Sequence, residues 1–371
     1  MPNRTASASQ QINPQSGFHR ELTEIIEEWY DLGRVIEIFE ISGGCENRSY
    51  RIEVDTDSAT KRYFLRQYKH GTAERKIQFE HALLNYCTAQ GFSIAGRVIV
   101  NRQGATYIKS AHSKHFIAIF EFLEGEDKYA WHNPALSREE LASASKMLAL
   151  FHTAVKGFDP GNFRMLEPPI RELLPTFGDG FANYAQTGES SQFKHFFLMH
   201  LDNILESIET IQISDADASN MPLCVIHCDY HPGNLKFLNN RVVGILDFDW
   251  SKIDFRLFDL AMAVDYFCSS WDETQDGELL LDKTSWFLGT YQQHLYQTGG
   301  MNPLDTVEIR NLTAMLSAAN LCIVQWIVSR VRTNVDLNDL EYLTYLKHHV
   351  RLMNFIAEHR SDISQLTVDL N

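Results

Sequence analysis

The chain has 371 residues, of which 44% are hydrophobic and 22% are charged, as in an ordinary globular protein of one or two domains. Its 48 acidic and 33 basic residues give a formal net charge of −15, which argues against nucleic acid as a partner because a phosphate backbone needs clustered Lys and Arg. The six cysteines lack the spacing of a disulfide framework, so we expect a reducing, cytoplasmic compartment. No unbroken apolar stretch reaches the roughly 18 residues of a membrane span, and no membrane partner is expected.

The first part of the chain combines a polar tail with a glycine turn between two strands. Residues 1–17 lack the apolar core of a secretion signal, so we expect a flexible N-terminal tail. The spacing then predicts a helix over 18–32 and two strands separated by the segment SGGCEN at 42–47. Such a turn can bring backbone N–H groups over nucleotide phosphates, although an ordinary hairpin would have a similar sequence. The candidate nucleotide-binding residues here are Ser42, Gly43, Gly44 and Asn47.

Residues 62–68 predict a third strand with a cationic side chain in its centre. Alternation places Arg66 and Tyr68 on the same face. The planar guanidinium of Arg66 can bind two phosphate oxygens at once, which makes it a candidate nucleotide-binding residue. Helical spacing follows over 72–90, and Glu80 on this helix is the predicted partner of Arg66 in the nucleotide site. The alternatives are Lys61 or Lys69 as the cation, Glu74 as its partner, or plain surface charges.

Residues 115–123, HFIAIFEFL, form an almost continuously apolar segment that is too short for most helices and predicts a buried strand. Two shorter strands are predicted before it, over 97–100 and 105–109. In a two-lobed nucleotide-binding fold, such a strand leads to the connecting segment whose backbone meets the adenine edge. By this position in the chain alone, Glu121 and Leu123 are candidate adenine-binding residues.

Beyond residue 135 the pattern becomes helical. Ser137 and Glu140 have the spacing of a capping box, and His152 near the end of the same helix is interpreted as a core histidine rather than a ligand. Residues 158–180 are rich in Pro and Gly and predict a loop, which we expect over the acceptor site. Further helices are predicted over 193–211, 255–268, 279–297, 303–332 and 338–359.

The densest chemical pattern begins after a short apolar run, with the letters HCD. Their aspartate is Asp229, and Asn234 follows five residues later. Residues 235–238 and 242–246 predict a hairpin whose second strand runs into Asp247. The order of these parts, which is His-x-Asp-x-x-x-x-Asn, a hairpin and another aspartate, is typical of a kinase catalytic centre.

The chemistry of phosphoryl transfer explains these residue types. The reaction needs charge neutralised and reactants aligned more than it needs covalent help. Asp229 can accept the proton of an attacking hydroxyl, while Asn234 and Asp247 can hold Mg²⁺ through hard oxygen atoms. Two other interpretations stay open, which are a strand, polar loop and strand without chemistry, and a zinc site. The zinc ligands would come from Cys224, His227, Cys228, Asp229 and His231, but a second distant pair of cysteines is lacking.

Three further aspartates near this pattern have less defined roles. Asp249 and Asp254 can meet a metal ion or the acceptor, or can be solvated. Asp259 lies inside a predicted helix and can bind the backbone of the loop around Asp229, which is a structural role.

The order GGCENRSYR, YFLRQY, Glu80, HCDYHPGN, ILDFD and FDLA resembles the aminoglycoside phosphotransferase superfamily. This superfamily includes choline kinases, type II homoserine kinases, methylthioribose kinases and a bacterial stress-response Ser/Thr kinase. The resemblance covers about residues 34–330 and is strongest in HCDYHPGN and ILDFD. It implies an α+β, two-lobed protein-kinase-like fold. A small antiparallel β lobe over 18–122 would bind the nucleotide, and a large, mainly α-helical lobe over 123–371 would carry catalytic and acceptor-binding residues.

The resemblance also implies ATP and Mg²⁺ as cofactors. By matched position, the implied roles are Asp229 as base, His227 as a brace of its loop, Asn234 and Asp247 as metal ligands, and Arg66 as phosphate-binding cation. Two positions depart from the family pattern. Arg66 replaces the lysine that many members carry, and Cys228 stands where small residues are common.

We therefore expect an ATP-dependent kinase that transfers the γ-phosphate to a hydroxyl of a small metabolite. A homoserine-like amino alcohol, a choline-like amine and an aminoglycoside are all compatible acceptors. The alternatives are a Ser/Thr protein kinase of the bacterial stress-response type and a nucleotide-binding pseudokinase. The sequence does not specify the acceptor, the oligomeric state or the choice between ATP and GTP.

Overall fold

The computed structural model describes residues 9–11, 17–41, 47–111, 113–163, 167–333 and 338–366. Ser42, Gly43 and Gly44 lie outside the described residues, as does most of the segment expected to be a flexible tail. The chain forms two compact units. The first unit comprises Met1–Ala130, Phe158–Phe163 and Gly233–Asp249, and the second unit comprises Trp131–Gly157, Arg164–Pro232 and Trp250–Asn371.

The described residues form strands and helices in the following order. The strands are β1 (Ser9–Gln11), β2 (Arg34–Ile41), β3 (Arg48–Asp55), β4 (Thr60–Gln67), β5 (Ile108–Lys109), β6 (Phe116–Glu121), β7 (Leu223–Ile226), β8 (Leu235–Leu238), β9 (Arg241–Ile245) and β10 (Lys252–Phe255). The helices are α1 (Gly17–Trp29), α2 (Glu74–Ala89), α3 (Arg138–Ala154), α4 (Ile170–Ala185), α5 (Gln192–Thr210), α6 (Asp215–Asn220), α7 (Arg256–Cys268), α8 (Leu281–Thr298), α9 (Thr306–Thr333), α10 (Asp339–Glu358) and α11 (Arg360–Gln365). The predicted α+β architecture is confirmed, with an antiparallel β lobe followed by a helical lobe.

The first unit is built on an antiparallel sheet in the order β1-β2-β3-β4-β6-β5. β1 lies within the segment expected to be a flexible tail and pairs with β2. Alternation along β3 buries Ile52 and Val54, because successive side chains of a strand point to opposite faces. Leu22 and Ile26 of α1 join them in one apolar core. Of the two short strands predicted before β6, the first is only a bridge between Val98 and Phe120, and the second is limited to β5.

The hairpin β8–β9 closes through a two-residue turn in which Asn239 and Asn240 both have positive φ, 51° and 59°. This is the twist that suits the flanking strands. Glu126 and Phe237 exchange backbone hydrogen bonds of 2.8 and 3.0 Å. Gly125, at φ 132°, allows this approach, because a Cβ there would lie 2.8 Å from Cγ2 of Val243. These contacts group the hairpin with the first unit, whereas the sequence-based division assigned it to the lobe over 123–371.

The second unit is mainly helical. α7 is buried along almost its whole length, and it packs against α8 and α9. α3 begins with the predicted capping box, in which Ser137 and Glu140 exchange side-chain to backbone hydrogen bonds. β7 and β10 form a two-stranded antiparallel pair that leads into the start of α7.

The expectation of a loop over 158–180 is wrong for its second half, where α4 begins at Ile170. Pro175 and two glycines in this helix are poor helix formers and obscured it. The helix is nevertheless stable because Leu174, Phe177 and Phe181 lie on one buried stripe. The carboxylate of Asp254 accepts the N–H of Ile170 at 2.6 Å and so caps the helix start.

α9 is long and apolar enough to cross a membrane by length and composition alone, with an 18-residue window of mean hydropathy 1.6. This window is interrupted by polar residues, so it does not contain an unbroken apolar stretch of that length. Of the window, 61% is buried inside the protein, as in the core helix of a globular domain.

Candidate active site

Arg66 lies in the second half of β4 and binds two carboxylates of the first unit. Its Nη1 donates to Oε1 of Glu80 at 2.8 Å, and its Nη2 donates to Oδ1 of Asp247 at 2.9 Å. Burial alone would lower the pKa of Arg66, but Glu80 and then Asp247 outweigh it and raise the pKa above its usual range. The guanidinium is therefore a fixed positive charge, and the predicted contact with Glu80 is present. The runner-up partner, Glu74, instead accepts from the hydroxyl of Tyr107 at 2.6 Å.

A buried hydrogen-bond chain supports Glu80 from the other side. The hydroxyl of Tyr68 donates to Oε2 of Glu80 at 2.8 Å and lies 3.0 Å from Nε2 of His81, whose Nδ1 lies 2.9 Å from Oγ1 of Thr106. Burial, and then the charge of Arg66, lower the pKa of His81 to about 3, so the imidazole is neutral. Burial raises the pKa of Glu80, although Arg66 and the Tyr68 hydroxyl hold that rise down.

The open end of the β8–β9 hairpin brings Asn234 next to Asp247. Leu235 pairs with Ile245, and the N–H of Leu246 donates to the backbone oxygen of Asn234 at 2.8 Å. Asp247 has φ 66°, a left-handed conformation that Asp tolerates better than most residues. The two predicted metal ligands are therefore neighbours, although they are thirteen residues apart in the chain.

The donor set of this hairpin end fits a hard divalent cation. It contains the carboxylate of Asp247, whose side chain is 39% exposed, and the side-chain amide of Asn234, which is buried. Oxygen donors of this kind suit Mg²⁺, which is usually bound by one or two protein groups together with phosphate oxygens and water. For the zinc interpretation, no group of three or more His, Cys, Asp or Glu side chains suited to a metal ion occurs in the part of the chain that the structure describes.

The side-chain amide of Asn47 forms hydrogen bonds with Asp249 and with the backbone of Lys69. Its Nδ2 donates to Oδ2 of Asp249 at 3.0 Å, and its Oδ1 accepts the N–H of Lys69 at 3.0 Å. The sequence-based role for Asn47 was nucleotide binding. The contact with Asp249 joins two segments 202 residues apart, a proximity that no local pattern in the sequence can reveal.

The candidate adenine segment follows the end of β6. The N–H of Glu121 donates to the backbone oxygen of Arg97 at 2.9 Å, and its carboxylate accepts from the Arg97 guanidinium at 2.7 Å. Leu123 lies against Gly244 of β9, where a Cβ would be 3.2 Å from its Cδ1. Lys236 of β8, which the sequence-based search missed, is buried and pairs with Asp127 at 2.7 Å. The sequence does contain an indication of this pair, because a lysine within the apolar segment LKFL is expected to need a charged partner.

In the second unit, the loop that carries Asp229 is held by Asp259 of α7. The N–H groups of His227 and Cys228 donate to Oδ2 and Oδ1 of Asp259 at 2.9 and 2.8 Å. Burial by itself would raise the pKa of Asp259, but the hydrogen bond from His152 and the nearby donors outweigh it and lower the pKa. The predicted structural contact of Asp259 with this loop is present.

His152 acts as the link between this aspartate and the helical core. Its Nε2 lies 2.9 Å from Oδ2 of Asp259, and its Nδ1 lies 2.7 Å from the hydroxyl of Tyr291. The network assigns the proton to Nε2, because a carboxylate only accepts and the Tyr291 hydroxyl can donate to Nδ1. All three side chains are buried, which agrees with the interpretation of His152 as a core histidine.

Asp229 itself follows Cys228, which has φ 64°. A left-handed backbone disfavours side chains with a Cβ, so Cys228 holds a conformation that most residues avoid. The N–H of Asp229 donates to Nδ1 of His227 at 3.3 Å, and the role of His227 as a brace of the loop stays a prediction. Nε2 of His231 lies 3.6 Å from Oδ2 of Asp229.

Asp254 is a structural residue rather than a metal or acceptor ligand. It is fully buried, pairs with Lys252 at 2.8 Å and accepts the N–H of Ile170. Burial raises the pKa of Asp254, while Lys252 and the backbone donors oppose the rise.

The predicted site residues are thus distributed over the two units. Those described in the first unit are Asn47, Arg66, Glu80, Glu121, Leu123, Asn234 and Asp247. His227 and Asp229 belong to the second unit. Ser42, Gly43 and Gly44 remain predictions, since they lie outside the described residues.

Comparison with known proteins places these observations in a wider group. Residues 37–292 match the model of the phosphotransferase enzyme family, APH. A homoserine kinase from Bradyrhizobium sp. (strain ORS 278) is 25% identical over 337 residues, which cover 89% of this chain and 92% of that protein. Among solved structures, a spectinomycin phosphotransferase in complex with ADP and spectinomycin has a TM-score of 0.62 at 16% identity, covering 91% of this chain and 98% of that one. A microcompartment-associated aminopropanol kinase has a TM-score of 0.62 at 14% identity, covering 93% and 98%.

Proposed function

Because this chain belongs to the phosphotransferase enzyme family and is a small-molecule kinase with an alcohol group as acceptor, we propose that it uses Mg-ATP to phosphorylate an amine-bearing metabolite. The acceptor classes are a homoserine-like amino alcohol, a choline-like amine or an aminoglycoside. The five described cysteines are free thiols, which supports a reducing, cytoplasmic compartment for this reaction.

The observation that carries the proposal is the hairpin end at which Asn234 and Asp247 become neighbours while Arg66 fixes Asp247. A divalent cation on these oxygen donors would neutralise charge on the phosphates. Arg66 carries the permanent positive charge expected beside a nucleotide. Glu80 orients the guanidinium by accepting a hydrogen bond from its Nη1. Glu121 and Leu123 stay candidates for direct contact with the nucleotide, whereas Asn47 would act through Asp249, to which it donates a hydrogen bond.

In this proposal Asp229 accepts the proton of the acceptor hydroxyl. The loop geometry supports the role, because His227 and Asp259 fix the backbone on which Asp229 stands. A positioned base of this kind contributes about 10²- to 10⁴-fold to a rate. The acidic chain as a whole, at net charge −15, suits a cationic acceptor.

The two alternatives are less well supported. The relatives and solved neighbours are named for small-molecule acceptors, which does not favour a protein Ser/Thr kinase. A pseudokinase is not favoured because the base and both predicted metal ligands are present in the chain.

The test is ADP release from Mg-ATP, and separately from Mg-GTP, over a panel of amino alcohols, sugars, aminoglycosides and a generic protein substrate. We expect release that depends on one amine-bearing acceptor class and falls about 10²- to 10⁴-fold in Asp229→Asn. Asp282→Asn, on the first turn of α8, is the matched control and should retain wild-type activity. Release with no acceptor in the panel, or equal release from Asp229→Asn, would contradict the proposal.

A further inference from the structure

The side-chain amide of Asn47 lies between a backbone donor and a carboxylate. Its Oδ1 accepts the N–H of Lys69, just beyond the end of β4, and its Nδ2 donates to Oδ2 of Asp249, both at 3.0 Å. The three residues belong to the first unit, and Asn47 and Asp249 are both half-buried. Water therefore competes only partly for these hydrogen bonds.

This arrangement explains why the residue is Asn. The N–H of Lys69 can only donate and the carboxylate of Asp249 can only accept, so the amide must present its oxygen to the first and its nitrogen to the second. An aspartate at this position would keep the contact with Lys69 but would place a second carboxylate against Asp249. An alanine would keep neither contact.

The same strand end fixes both carboxylates of the segment Asp247-Phe248-Asp249. Arg66 of β4 binds Asp247 at 2.9 Å, and Asn47, oriented by Lys69 two residues after the end of β4, binds Asp249. Phe248 between them is buried. Asp247 has a left-handed backbone. The direction of its carboxylate is therefore fixed by two contacts, its own with Arg66 and that of Asp249 with Asn47.

We propose that Asn47 is a positioning residue for the cation-binding carboxylate: by holding Asp249, its amide fixes the segment that presents Asp247 to the divalent cation of the bound nucleotide. This inference rests on the proposed function, and it gives Asn47 a role in metal affinity rather than in direct contact with the nucleotide.

The experiment measures binding of the non-hydrolysable nucleotide AMP-PNP by isothermal titration calorimetry at increasing Mg²⁺. We expect Asn47→Asp to weaken the Mg²⁺-dependent part of the affinity by about tenfold, because a half-buried hydrogen bond to a charged acceptor is lost and repulsion is added. Affinity for nucleotide without Mg²⁺ should change less than about twofold. In turnover assays the Mg²⁺ concentration for half-activation should rise, while KM for the acceptor should stay within about twofold.

An exchange of the two side chains separates positioning from direct ligation. In the double variant Asn47→Asp with Asp249→Asn, the carboxylate at position 47 would accept the N–H of Lys69 and the side-chain N–H of the amide at position 249. Both hydrogen bonds are then restored, and the negative charge moves from position 249 to position 47. We expect it to recover most of the Mg²⁺-dependent affinity lost in either single variant. Arg48→Gln is the matched control, because Arg48 is the next residue and binds Glu40 on β2 instead. These replacements are close in size to the originals, so the test does not depend on the folding of an alanine variant.

Three results would overturn the inference. Equal Mg²⁺ dependence in wild type and Asn47→Asp would show that the hydrogen bond does not position the segment. Failure of the exchange to improve on the single variants would show that Asp249 must itself be a carboxylate. A wild-type chain that binds no nucleotide at any Mg²⁺ concentration would overturn the proposed function as well, which distinguishes that failure from the first two.

Discussion

Each unit of this protein holds one buried carboxylate beside a candidate catalytic group, and the two are stabilised differently. Glu80 in the first unit receives the guanidinium of Arg66 and the hydroxyl of Tyr68. Asp259 in the second unit receives two backbone N–H groups and the imidazole of His152. Burial raises the pKa of Glu80, whereas the pKa of Asp259 is lowered in spite of burial.

The difference lies in the balance between the burial of each carboxylate, which raises its pKa, and the donors around it, which lower it. Two backbone N–H groups and the His152 imidazole outweigh the desolvation of Asp259, whereas Arg66, which is shared with Asp247, and the Tyr68 hydroxyl do not outweigh that of Glu80. We infer a division of roles: the Arg66 cluster orients the carboxylate of Asp247, and the Asp259 cluster supports the loop around Asp229.

Removing the cation should be the most damaging change in the first unit. Arg66→Ala leaves Glu80 buried without its charge partner, and we expect the free energy of unfolding to fall by about 3–5 kcal/mol at about pH 8. Without Arg66 the pKa of Glu80 rises further above its unfolded value, so protonation favours the folded state and the loss should shrink as the pH falls toward about 5. Urea denaturation at both pH values measures it. Arg62→Ala, which breaks the exposed pair with Glu124, should cost less than about 1 kcal/mol at either pH.

Replacing the carboxylate of Asp259 should also give a loss of stability that shrinks in acid, but at a lower pH and because the wild type, not the variant, changes with pH. Asp259→Asn replaces a carboxylate that accepts three hydrogen bonds with a neutral amide. We expect the free energy of unfolding to fall by about 2–3 kcal/mol at neutral pH. Because the folded pKa of Asp259 is lowered, the stability it adds is present above its unfolded pKa and is lost as the pH falls through the folded value. The gap between wild type and Asp259→Asn should therefore narrow below about pH 4. A gap that widened in acid would mean that the carboxylate is not held in its charged form.

The close approach of the hairpin to the chain after β6 should depend on the absence of a side chain at Gly125. Gly125→Ala combines a positive φ with a contact of 2.8 Å to Val243, and we expect a loss of about 2–3 kcal/mol. Gly104→Ala is the matched control, since Gly104 also has positive φ, 80°, but nothing lies within 4 Å of its Cβ position. It should lose only about 1 kcal/mol in the same denaturation experiment. Equal losses would mean that the approach to Val243 is not tight.

The hairpin turn should give the smallest effect, and one of opposite sign. Asn240→Gly relieves a positive φ of 59° in a two-residue turn, and we expect a gain of about 0.5 kcal/mol in unfolding free energy. The turn is at the end of the hairpin opposite to Asn234 and Asp247, so Mg²⁺-dependent nucleotide binding should not change. A destabilised variant would show that the Asn240 side chain contributes more than its backbone conformation.

Local patterns predicted much of this structure because they depend on neighbouring residues. The capping box of Ser137 and Glu140, the β8–β9 hairpin and the shared face of Arg66 and Tyr68 all follow from spacing. The contact of Arg66 with Glu80 also followed, since it joins a strand to the helix after it.

The features that the sequence did not predict depend on contacts between distant segments or on the burial of apolar side chains. Pro175 made a helix over α4 look unfavourable, because helix propensity does not include tertiary contacts. Here a buried apolar stripe and the cap from Asp254 stabilise the helix. Asn47 bonds to Asp249, and Asp254 accepts the N–H of Ile170. Each hydrogen bond joins segments that only the tertiary fold brings together. The metal and nucleotide roles of Asn234, Asp247, Glu121 and Leu123 stay predictions.

The most direct test of the division of roles is the binding of AMP-PNP with and without Mg²⁺ to wild type, Asp247→Asn and Asp229→Asn. If Asp247 holds the divalent cation and Asp229 acts only on the acceptor, then Asp247→Asn should lose the Mg²⁺-dependent part of the affinity. Asp229→Asn should bind Mg-AMP-PNP within about twofold of wild type, although its transfer rate falls about 10²- to 10⁴-fold. Equal losses of Mg²⁺-dependent binding in both variants, or no loss in Asp247→Asn, would contradict the account.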